Sequence, residues 1–223
     1  MGKLAMGKIK FVTTRDGSQT AYNQQADEHY HSVTGAIEEA FEKYVKPLQI
    51  TDGMCILDYC FGLGYNSIAA TAQHSNLQIT ALEKDIQIVR AMKKVAPPAL
   101  ISHKYEIFSD LAEQNIIKDN DNNVIKLILG DVFQTLPTLP DEFFDRVFFD
   151  PFSPTKQPEM WNLQIFNLVY AKLKAGGKLA TYSCAKMVRN NMRYAGFRVY
   201  DGPQVGRKSP ATIAVKVKKT CLK

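Results

Sequence analysis

Short hydrophobic runs alternate with segments of helical periodicity over most of the chain. Five apolar runs have the length of buried strands and lie at 54–59, 77–83, 124–129, 146–149 and 178–183. Apolar residues follow helical spacing at 65–73, 86–95, 104–117, 160–173 and 184–195. Two more strands, 197–200 and 212–217, close the chain. This alternation predicts a doubly wound α/β fold with a seven-stranded sheet, of which five strands are parallel and two form a final hairpin.

Proline and glycine residues set the expected ends of these helices. Pro97 should stop the helix at 86–95, and Gly196 should close the last helix. We expect Gly176 and Gly177 to end the helix at 160–173.

The first 48 residues precede the regular alternation. A hairpin over 8–22, with its turn at 15–18, is followed by a helix over 36–45 that Pro47 should end. We therefore expect an N-terminal extension, residues 1–48, packed on a main domain formed by residues 49–223.

The first strand of the main domain leads into a glycine-containing turn and the start of a helix. Gly62 and Gly64 allow positive φ and let a ligand approach the backbone, while the free N–H groups of the helix start face the same place. Glu83 ends the next strand, nineteen residues beyond Gly64, where an acid suits the hydroxyl groups of a ribose. The pattern is typical of a site for a nucleotide-like cofactor.

Two cofactors fit this pattern. A dinucleotide needs a third glycine, which 62–67 lacks, and the Asp58 carboxylate just before the loop would repel its pyrophosphate. S-adenosylmethionine has no phosphates, and its positive amino-acid end suits Asp58. The pattern favours S-adenosylmethionine, but a glycine turn without any ligand stays open because Gly-x-Gly alone is a weak signal.

Acidic residues follow four of the predicted strands: Asp58, Glu83, Asp131 and Asp150. Ligands of doubly wound sheets bind at the carboxyl ends of the strands. Each acid alone could cap a helix. The four together indicate a cationic ligand that carries a ribose.

A proline-rich loop, 150–161, follows the fourth strand. Its three prolines restrict the backbone, and Phe152 supplies an aromatic wall. Asp150 lies where a transferred group would meet its acceptor. A rigid structural loop is the alternative, which we prefer for Trp161, whereas we favour a functional role for Asp150.

Length and composition fit one large domain or a domain with a small appendage. The 223 residues are 45% hydrophobic, enough for a packed core. No apolar run approaches the roughly 20 residues of a membrane span, and the N-terminus lacks an apolar signal segment. The four cysteines form no C-x-x-C pair, and the four histidines are scattered. We therefore expect a reduced, cytoplasmic protein without a metal site or membrane segment.

Positive charge is concentrated near the C-terminus. Residues 186–223 contain ten basic residues and one acid, Asp201, for a net charge of +9, whereas the rest of the chain carries −3. A one-sided excess of this size indicates a polyanionic partner such as a nucleic acid.

Motifs spread over most of the chain follow one known pattern. The loop at 150–161 matches Asp-Gly-Phe-Ala-Pro-x-Lys-x-Pro-Glu/Asp-Met/Leu-Trp, and 61–66 matches the end of Gly-Phe-Gly-Thr-Gly-Leu-Asn. Further matches lie at 30–32 (Tyr-Phe-Ser in the pattern), 35–39, 82–84, 130–131, 176–181 and 205–208. Together they resemble the methyltransferase domain of the MnmC family, bifunctional enzymes of tRNA wobble-uridine modification. The chain departs from the pattern at Cys60, where the family has a glycine, and at Pro151 and Ser153.

The resemblance implies a class I, Rossmann-like methyltransferase domain over 49–223 that uses S-adenosyl-L-methionine. It implies transfer of a methyl group to the aminomethyl nitrogen of 5-aminomethyluridine, with or without a 2-thio group, at the wobble position of tRNA. The chain ends at Lys223 without the FAD-dependent oxidase half of the family. We therefore expect a stand-alone form that depends on other enzymes to install the aminomethyl group.

Individual roles follow as hypotheses. Asp150 should orient the amine and stabilise the developing cation, Phe152 should line the methyl path, and Tyr30 should face the base. Glu83 should hold the ribose and Asp131 the adenine amine. The expected cofactor-binding residues are Asp58, Gly62, Gly64, Asn66, Glu83, Lys84, Asp131 and Asp150. The expected contacts to the anticodon stem-loop are Lys156, Lys186, Arg189, Arg193, Arg207 and Lys208.

Three other functions fit parts of the sequence. A polyamine aminopropyl or methyl transferase would use a similar acidic site, but the basic C-terminal segment disfavours a polycationic substrate. A non-catalytic RNA-binding module would keep the fold and the charge without methyl transfer. A nicotinamide-dependent dehydrogenase is disfavoured by the missing third glycine.

Overall fold

The computed structural model describes residues 9–217 and contains two β-sheets. The small sheet has three antiparallel strands in the order β1-β2-β3. They are β1 (Lys10–Thr13), β2 (Gln19–Asn23) and β3 (Glu28–His29). The first two strands form the predicted hairpin, although Lys8 lies outside the described residues, as do Lys218, Lys219 and Lys223 of the basic segment.

The large sheet has eight strands in the order β10-β11-β9-β8-β4-β5-β7-β6. Its strands are β4 (Cys55–Tyr59), β5 (Gln78–Glu83), β6 (Ile116–Lys118), β7 (Val124–Leu129), β8 (Phe144–Phe149), β9 (Leu173–Thr181), β10 (Phe197–Asp201) and β11 (Thr212–Lys216). The five central strands, from β7 to β9, are parallel, and the remaining strands pair antiparallel. This confirms the predicted doubly wound α/β fold with five parallel strands and a closing hairpin.

The eighth strand, β6, was expected to be the end of a helix over 104–117. The helix instead stops early, because α5 (Ser102–Phe108) is followed by a turn and the short α6 (Leu111–Gln114). Asn115 has a φ of +58°, which ends α6, and its carbonyl accepts the Leu127 N–H at 2.7 Å. The chain therefore leaves the helix and pairs with β7 at the sheet edge.

Helices cover both faces of the large sheet. The remaining α-helices are α1 (Ala36–Glu39), α2 (Lys46–Leu48), α3 (Tyr65–Thr71), α4 (Ile86–Ala91), α7 (Val132–Thr135), α8 (Leu163–Lys172) and α9 (Lys186–Tyr194). One core cluster joins Ile56 of β4 to Tyr44 and Ile68. The other joins Leu57 of β4 to Phe166 and Val188. Successive strand residues point to opposite faces, so each strand feeds both cores.

The helix over 36–48 is continuous and changes type twice. Between α1 and α2 lies a six-residue π-helical segment, Ala40–Val45. The Lys46 N–H bonds the Phe41 carbonyl, five residues back. The prediction that Pro47 ends this helix was wrong, because Pro47 lies in the first turn of α2, where a missing N–H is tolerated. The helix ends instead at Gln49, which adopts the left-handed conformation with a φ of +53°.

The prediction that Gly176 and Gly177 end a helix was also wrong. α8 stops at Lys172, and β9 begins at Leu173 and contains both glycines. A Cβ at Gly177 would lie 3.2 Å from the Asp145 carbonyl of the neighbouring strand. Glycine is therefore needed here for close strand approach and not for a helix end.

The first described residues pack directly on the main sheet layer. The Tyr65 hydroxyl of α3 donates to the Gln19 carbonyl of β2 at 2.7 Å and accepts the Gln19 N–H at 3.2 Å. Apolar residues of 36–48 belong to the same core cluster as β4 and α3. A domain boundary at residue 48 stays a prediction. No helix within residues 9–217 has the length and apolar character needed to cross a membrane.

Candidate active site

A cavity of about 500 Å³ opens at the carboxyl ends of the central parallel strands. Seven of the predicted site residues line it: Tyr30, Gly62, Glu83, Lys84, Asp131, Asp150 and Phe152. Asp58, Gly64 and Asn66 do not line it, and neither do the six basic residues expected at a tRNA interface. The cavity therefore joins three of the four predicted acids with the two predicted aromatic side chains.

Asp150 is held in the cavity by two side chains that are distant in sequence. Its Oδ1 accepts the Tyr44 hydroxyl at 2.6 Å, and its Oδ2 accepts the Asn66 Nδ2 at 2.9 Å. His31 Nδ1 lies 3.9 Å from Oδ2. Burial raises the pKa of Asp150, whereas the charge of His31 and the bonds from Tyr44 and Asn66 oppose that shift. Asn66, expected to bind the cofactor, thus contacts Asp150 in this structure.

Asp58 is bonded to the first turn of α3 and does not line the cavity. It is 1% exposed, and its Oδ2 accepts the Ser67 hydroxyl at 2.5 Å. Its Oδ1 is buried without a hydrogen-bond partner among the described residues. Burial raises the pKa of Asp58 to about 8. Asp58 does not line the cavity, and its contact with the amino-acid end of the cofactor stays a prediction.

The raised pKa of Asp58 has a consequence for stability. A carboxyl group with a higher pKa in the folded than in the unfolded chain binds more protons when folded, so unfolding becomes easier as pH rises toward 8. We expect Asp58→Asn to gain stability over the wild type by about 1.4 kcal/mol per pH unit between pH 5 and 7. Urea denaturation across this range measures the difference. Glu106→Gln, at an exposed helix position, should show no such trend, and a pH-independent difference for Asp58→Asn would contradict the assignment.

Glu83 lies at the end of β5 in the cavity wall. Its Oε2 accepts the Gly62 N–H at 2.8 Å. Its Oε1 accepts the N–H groups of Lys84 at 2.8 Å and Asp85 at 2.9 Å. Burial raises the pKa of Glu83, and these three donors oppose the shift. The carboxylate therefore ties the glycine loop to the end of β5 and also faces the cavity.

Asp131 combines a structural contact with its place in the cavity. Its Oδ1 accepts the Phe133 N–H at 3.0 Å and caps α7, and its Oδ2 accepts Lys84 Nζ at 3.0 Å. The Phe133 N–H, followed by Lys84, lowers the pKa of Asp131. Asp131 is therefore a charged acid that is paired with Lys84 at the cavity wall.

Three residues of the glycine loop have positive φ. Cys60, Gly62 and Gly64 have φ values of +67°, +57° and +76°. Left-handed conformation at a non-glycine residue costs about 1–2 kcal/mol, so Cys60 adopts a backbone that would suit the glycine of the family pattern. A Cβ at Gly64 would lie 2.6 Å from the Phe61 ring. Gly64 therefore serves loop packing, while Gly62 lines the cavity.

Tyr30 and Phe152 form an aromatic wall. Their ring centroids are 4.9 Å apart in an edge-to-face arrangement. The Tyr30 hydroxyl accepts the Asn23 Nδ2 at 3.0 Å, and burial raises the pKa of Tyr30. The Phe152 carbonyl accepts the Trp161 indole N–H at 2.8 Å, which fixes the proline-rich loop to a fully buried side chain.

Half of the predicted tRNA-binding side chains are occupied within the protein. Lys156 Nζ donates to Asp27 at 2.7 Å, and Arg189 donates to Asp201 at 2.6 Å. Arg207 donates to the Tyr182 carbonyl, and its guanidinium lies 5.9 Å from the centre of the Tyr182 ring.

The other three predicted tRNA contacts are exposed. Arg193 contacts only Asn190 through a side-chain hydrogen bond, at 3.1 Å. Within residues 9–217, Lys186 and Lys208 have neither an ion pair nor a side-chain hydrogen bond. We name Lys186, Arg193 and Lys208 the free basic set.

Two residues next to Asp150, His31 and Tyr44, were missed by the sequence analysis. His31 lines the cavity next to Asp150, and Tyr44 reaches Asp150 from the π-helical segment. The sequence carried no signal for the π-helical segment, because the apolar residues at 37, 40, 41 and 44 fit the spacing of an ordinary α-helix. Within the described part of the chain, no group of three or more His, Cys, Asp or Glu side chains is placed to hold a metal ion.

Comparison with known proteins identifies the class. Residues 99–217 match a family model described as S-adenosyl-L-methionine-dependent methyltransferase. The chain therefore belongs to this family of S-adenosyl-L-methionine-dependent methyltransferases. Family membership confirms the predicted cofactor and overturns the dinucleotide alternative.

Individual relatives show which methyltransferases this chain resembles. The crystal structure of MnmC2 from Aquifex aeolicus superposes on this chain with a TM-score of 0.80 and is 28% identical to it in sequence. The superposition covers 95% of this chain and 72% of the Aquifex chain. The bifunctional protein MnmC of Ralstonia nicotianae, named for tRNA 5-methylaminomethyl-2-thiouridine biosynthesis, is 27% identical over 87% of this chain. An uncharacterized protein of Methanocaldococcus jannaschii is 30% identical over 92% of this chain. The chain spans 33% of the Ralstonia protein and 59% of the Methanocaldococcus protein. The predicted resemblance to the MnmC methyltransferase domain is confirmed.

The site suits S-adenosylmethionine on its own geometry. An acid ends β5 in the cavity wall, where a ribose would lie beside the glycine loop. Gly62 leaves the backbone open there, because a Cβ at this position would lie 3.1 Å from the Tyr30 ring. The volume of about 500 Å³ falls in the range of small-molecule sites.

Proposed function

We propose that this protein methylates the aminomethyl nitrogen of 5-aminomethyluridine, with or without a 2-thio group, at the wobble position of tRNA. The observation that carries the proposal is Asp150, a buried carboxylate that shares one cavity with Glu83. A carboxylate at this place suits an amine acceptor, because it can bind the nitrogen and balance positive charge. The Ralstonia relative is named for tRNA 5-methylaminomethyl-2-thiouridine biosynthesis, and we take the class of acceptor, a modified uridine of tRNA, from that name.

The residues of the chain provide position and charge. S-adenosylmethionine supplies an activated methyl group on a positive sulfur. Asp150, fixed by Tyr44 and Asn66, would orient the acceptor nitrogen and stabilise the charge that develops on it. Phe152 and Tyr30 would form the apolar wall along the methyl path and beside the base.

The cofactor would lie over the end of β5. The Glu83 carboxylate already accepts three backbone N–H groups, which fix its direction at the cavity wall. Asp131, paired with Lys84, would lie near the adenine amine.

Glu83→Gln should weaken cofactor binding. Loss of a charged acceptor for the ribose hydroxyls should raise the dissociation constant for S-adenosylmethionine roughly tenfold, which corresponds to about 1.4 kcal/mol. Titration calorimetry measures it, with the melting temperature as a check that the loop bonded by Glu83 has kept its structure. A dissociation constant within twofold of wild type in a folded variant would refute the ribose assignment.

A tRNA partner is supported by charge. The free basic set lies on α9 and in the loop before β11, on the antiparallel side of the large sheet. A Cβ at Gly206 in that loop would lie 2.9 Å from Thr34 Oγ1, so the loop packs next to the segment that carries Tyr30 and His31. Phosphates of an anticodon stem-loop could thus contact this side while one base enters the cavity. We place the reaction in the cytoplasm, together with enzymes that install the aminomethyl group.

Methyl transfer to bulk tRNA tests the proposal. The protein is incubated with S-adenosylmethionine labelled in the methyl group and with tRNA from a strain that lacks this activity, and the labelled nucleoside is identified by mass. We expect the label on 5-methylaminomethyluridine or its 2-thio form. The same tRNA lacking the aminomethyl group is the control and should stay unlabelled. Label on another nucleoside, or none, would refute the proposal.

A polyamine acceptor is the second candidate. Spermidine synthase from Thermotoga maritima shares the fold with a TM-score of 0.58 at 13% identity, which shows the fold alone. The net charge of +9 over residues 186–223 disfavours a polycation. Spermidine or putrescine in place of tRNA in the same assay separates the candidates.

A further inference from the structure

His31 lies beside Asp150 with both ring nitrogens free of hydrogen bonds to the described residues. Its side chain is 5% exposed and lines the cavity. Nε2 is buried without a partner, and Nδ1 lies 3.9 Å from Asp150 Oδ2. Buried polar groups are nearly always hydrogen-bonded, so an imidazole without a partner in a cavity wall is unusual for a structural histidine.

The position of this imidazole is fixed by its surroundings. The His31 N–H donates to Thr20 Oγ1 at 2.9 Å, which anchors the backbone. The ring packs edge-to-face on Tyr65, with centroids 5.1 Å apart and an interplanar angle of 87°. Nδ1 is therefore held toward Asp150 without being bonded to it.

The gap between Nδ1 and Oδ2 fits one bridging donor. At 3.9 Å the two atoms are too far apart for a direct hydrogen bond. An ammonium nitrogen about 2.9 Å from each would donate one proton to each acceptor. Asp150 already accepts Tyr44 and Asn66, and these bonds favour its charged form. The imidazole is thus the acceptor of this pair that can take up a proton while the carboxylate keeps its charge.

We propose that His31 accepts the proton that the substrate ammonium must lose before methyl transfer, while Asp150 binds the nitrogen. The proposal rests on an amine acceptor, as given under the proposed function. An alkylammonium ion titrates near pH 10.4 in water, so the neutral amine is scarce at pH 7. A base within reach in the cavity gives that proton an acceptor next to the nitrogen.

The step balances without another reactant. One N–H bond of the ammonium breaks and leaves its electron pair on nitrogen, and the proton joins His31 Nδ1. That pair then forms the new N–C bond as the methyl group leaves sulfur, which keeps the electrons of the C–S bond. The product is a secondary ammonium ion, and His31 returns its proton to solvent before the next turnover.

The charged groups around His31 are few. Asp150 faces it from the end of β8, and the uncharged Tyr65 ring faces it from α3. Behind Asp150 lie Tyr44, which bonds its carboxylate, and Glu39, which is paired with Lys43. Asp150 is therefore the carboxylate nearest to Nδ1.

The pH dependence of single-turnover methyl transfer tests the role. With saturating S-adenosylmethionine and aminomethyl-bearing tRNA, we expect His31→Gln to be about 100-fold slower than wild type at pH 7. Its rate should then rise about tenfold per pH unit toward pH 10, as the amine loses its proton unaided. The deficit should therefore shrink with pH, which a merely structural defect would not produce. The dissociation constant for S-adenosylmethionine should stay unchanged.

Two further variants complete the experiment. His29→Gln changes a histidine of the same small sheet that does not line the cavity, and it should keep the wild-type rate and pH profile. If His31→Gln fails to fold, His31→Phe keeps a ring against Tyr65 and carries the test. A wild-type profile in the folded His31 variant would overturn the proposal for His31 alone. Absence of transfer by the wild-type protein would overturn the proposed function, and the role of His31 with it.

Discussion

Asp150→Asn should reduce methyl transfer by about 10³-fold or more, equivalent to ~4 kcal/mol of transition-state stabilisation. The substitution keeps the size of the side chain, but one accepting oxygen becomes an amide NH2, so only one of the bonds from Tyr44 and Asn66 keeps its present direction. It removes the negative charge that would bind the acceptor nitrogen and balance the cation formed on it. Because this charge acts on the acceptor, the dissociation constant for S-adenosylmethionine should change by no more than about threefold.

Single-turnover rates and titration calorimetry on the same preparation separate the two effects. Asp52→Asn, which removes an exposed carboxylate before β4, is the control and should retain the wild-type rate. A rate within tenfold of wild type for Asp150→Asn would show that Asp150 is not the acceptor-binding group. A large loss of cofactor affinity instead would place Asp150 at the cofactor.

Replacement of the free basic set should give the second large effect. Lys186, Arg193 and Lys208 are exposed and form no ion pair with any residue of the described range 9–217. If each contacts one phosphate, changing all three to alanine should weaken tRNA binding by roughly 10- to 100-fold at 0.15 M salt. The slope of log affinity against log salt should fall by about three.

A variant with the same change in net charge provides the control. Lys94, Lys118 and Lys126 are exposed on or beside the opposite side of the large sheet, near β6 and β7. Changing these three to alanine should leave the salt slope nearly unchanged. Equal weakening by both triple variants would indicate an unspecific charge effect and would remove the proposed interface.

The parallel strands were predictable because their signal is local. Short apolar runs between helical segments define β4, β5, β7 and β8, and the acids that follow them fall on one edge of the sheet. The burial and the hydrogen-bond partners of these acids differ, however, and the local sequence does not predict those differences. Asp58 is buried and bonded to Ser67, and Asp131 caps α7. These differences depend on side-chain packing between elements that are distant in sequence.

The hydrogen bonds to Asp150 could not be predicted from the sequence either, because they join residues that are far apart in the chain. Tyr44 lies 106 positions earlier in the chain and Asn66 lies 84 positions earlier. His31 comes two residues after β3, which pairs with β2. The position of β2 depends in turn on its hydrogen bonds to Tyr65 of α3. The edge strand β6 was missed for a related reason, because the helix end at Asn115 is stabilised by pairing with β7 and not by a strong breaker residue.

The π-helical segment limits which changes in chain length this protein can accept. Loss of one residue from Ala40–Val45 would let the segment become α-helical, with later residues on their present faces and the side chains within the segment turned about the helix axis. The Tyr44 hydroxyl would then leave Asp150, although no residue of the cavity had been replaced. Variants that have lost one residue from this helix should therefore be inactive. Variants that have lost one residue from the exposed turn at 120–122, which does not line the cavity, should stay active.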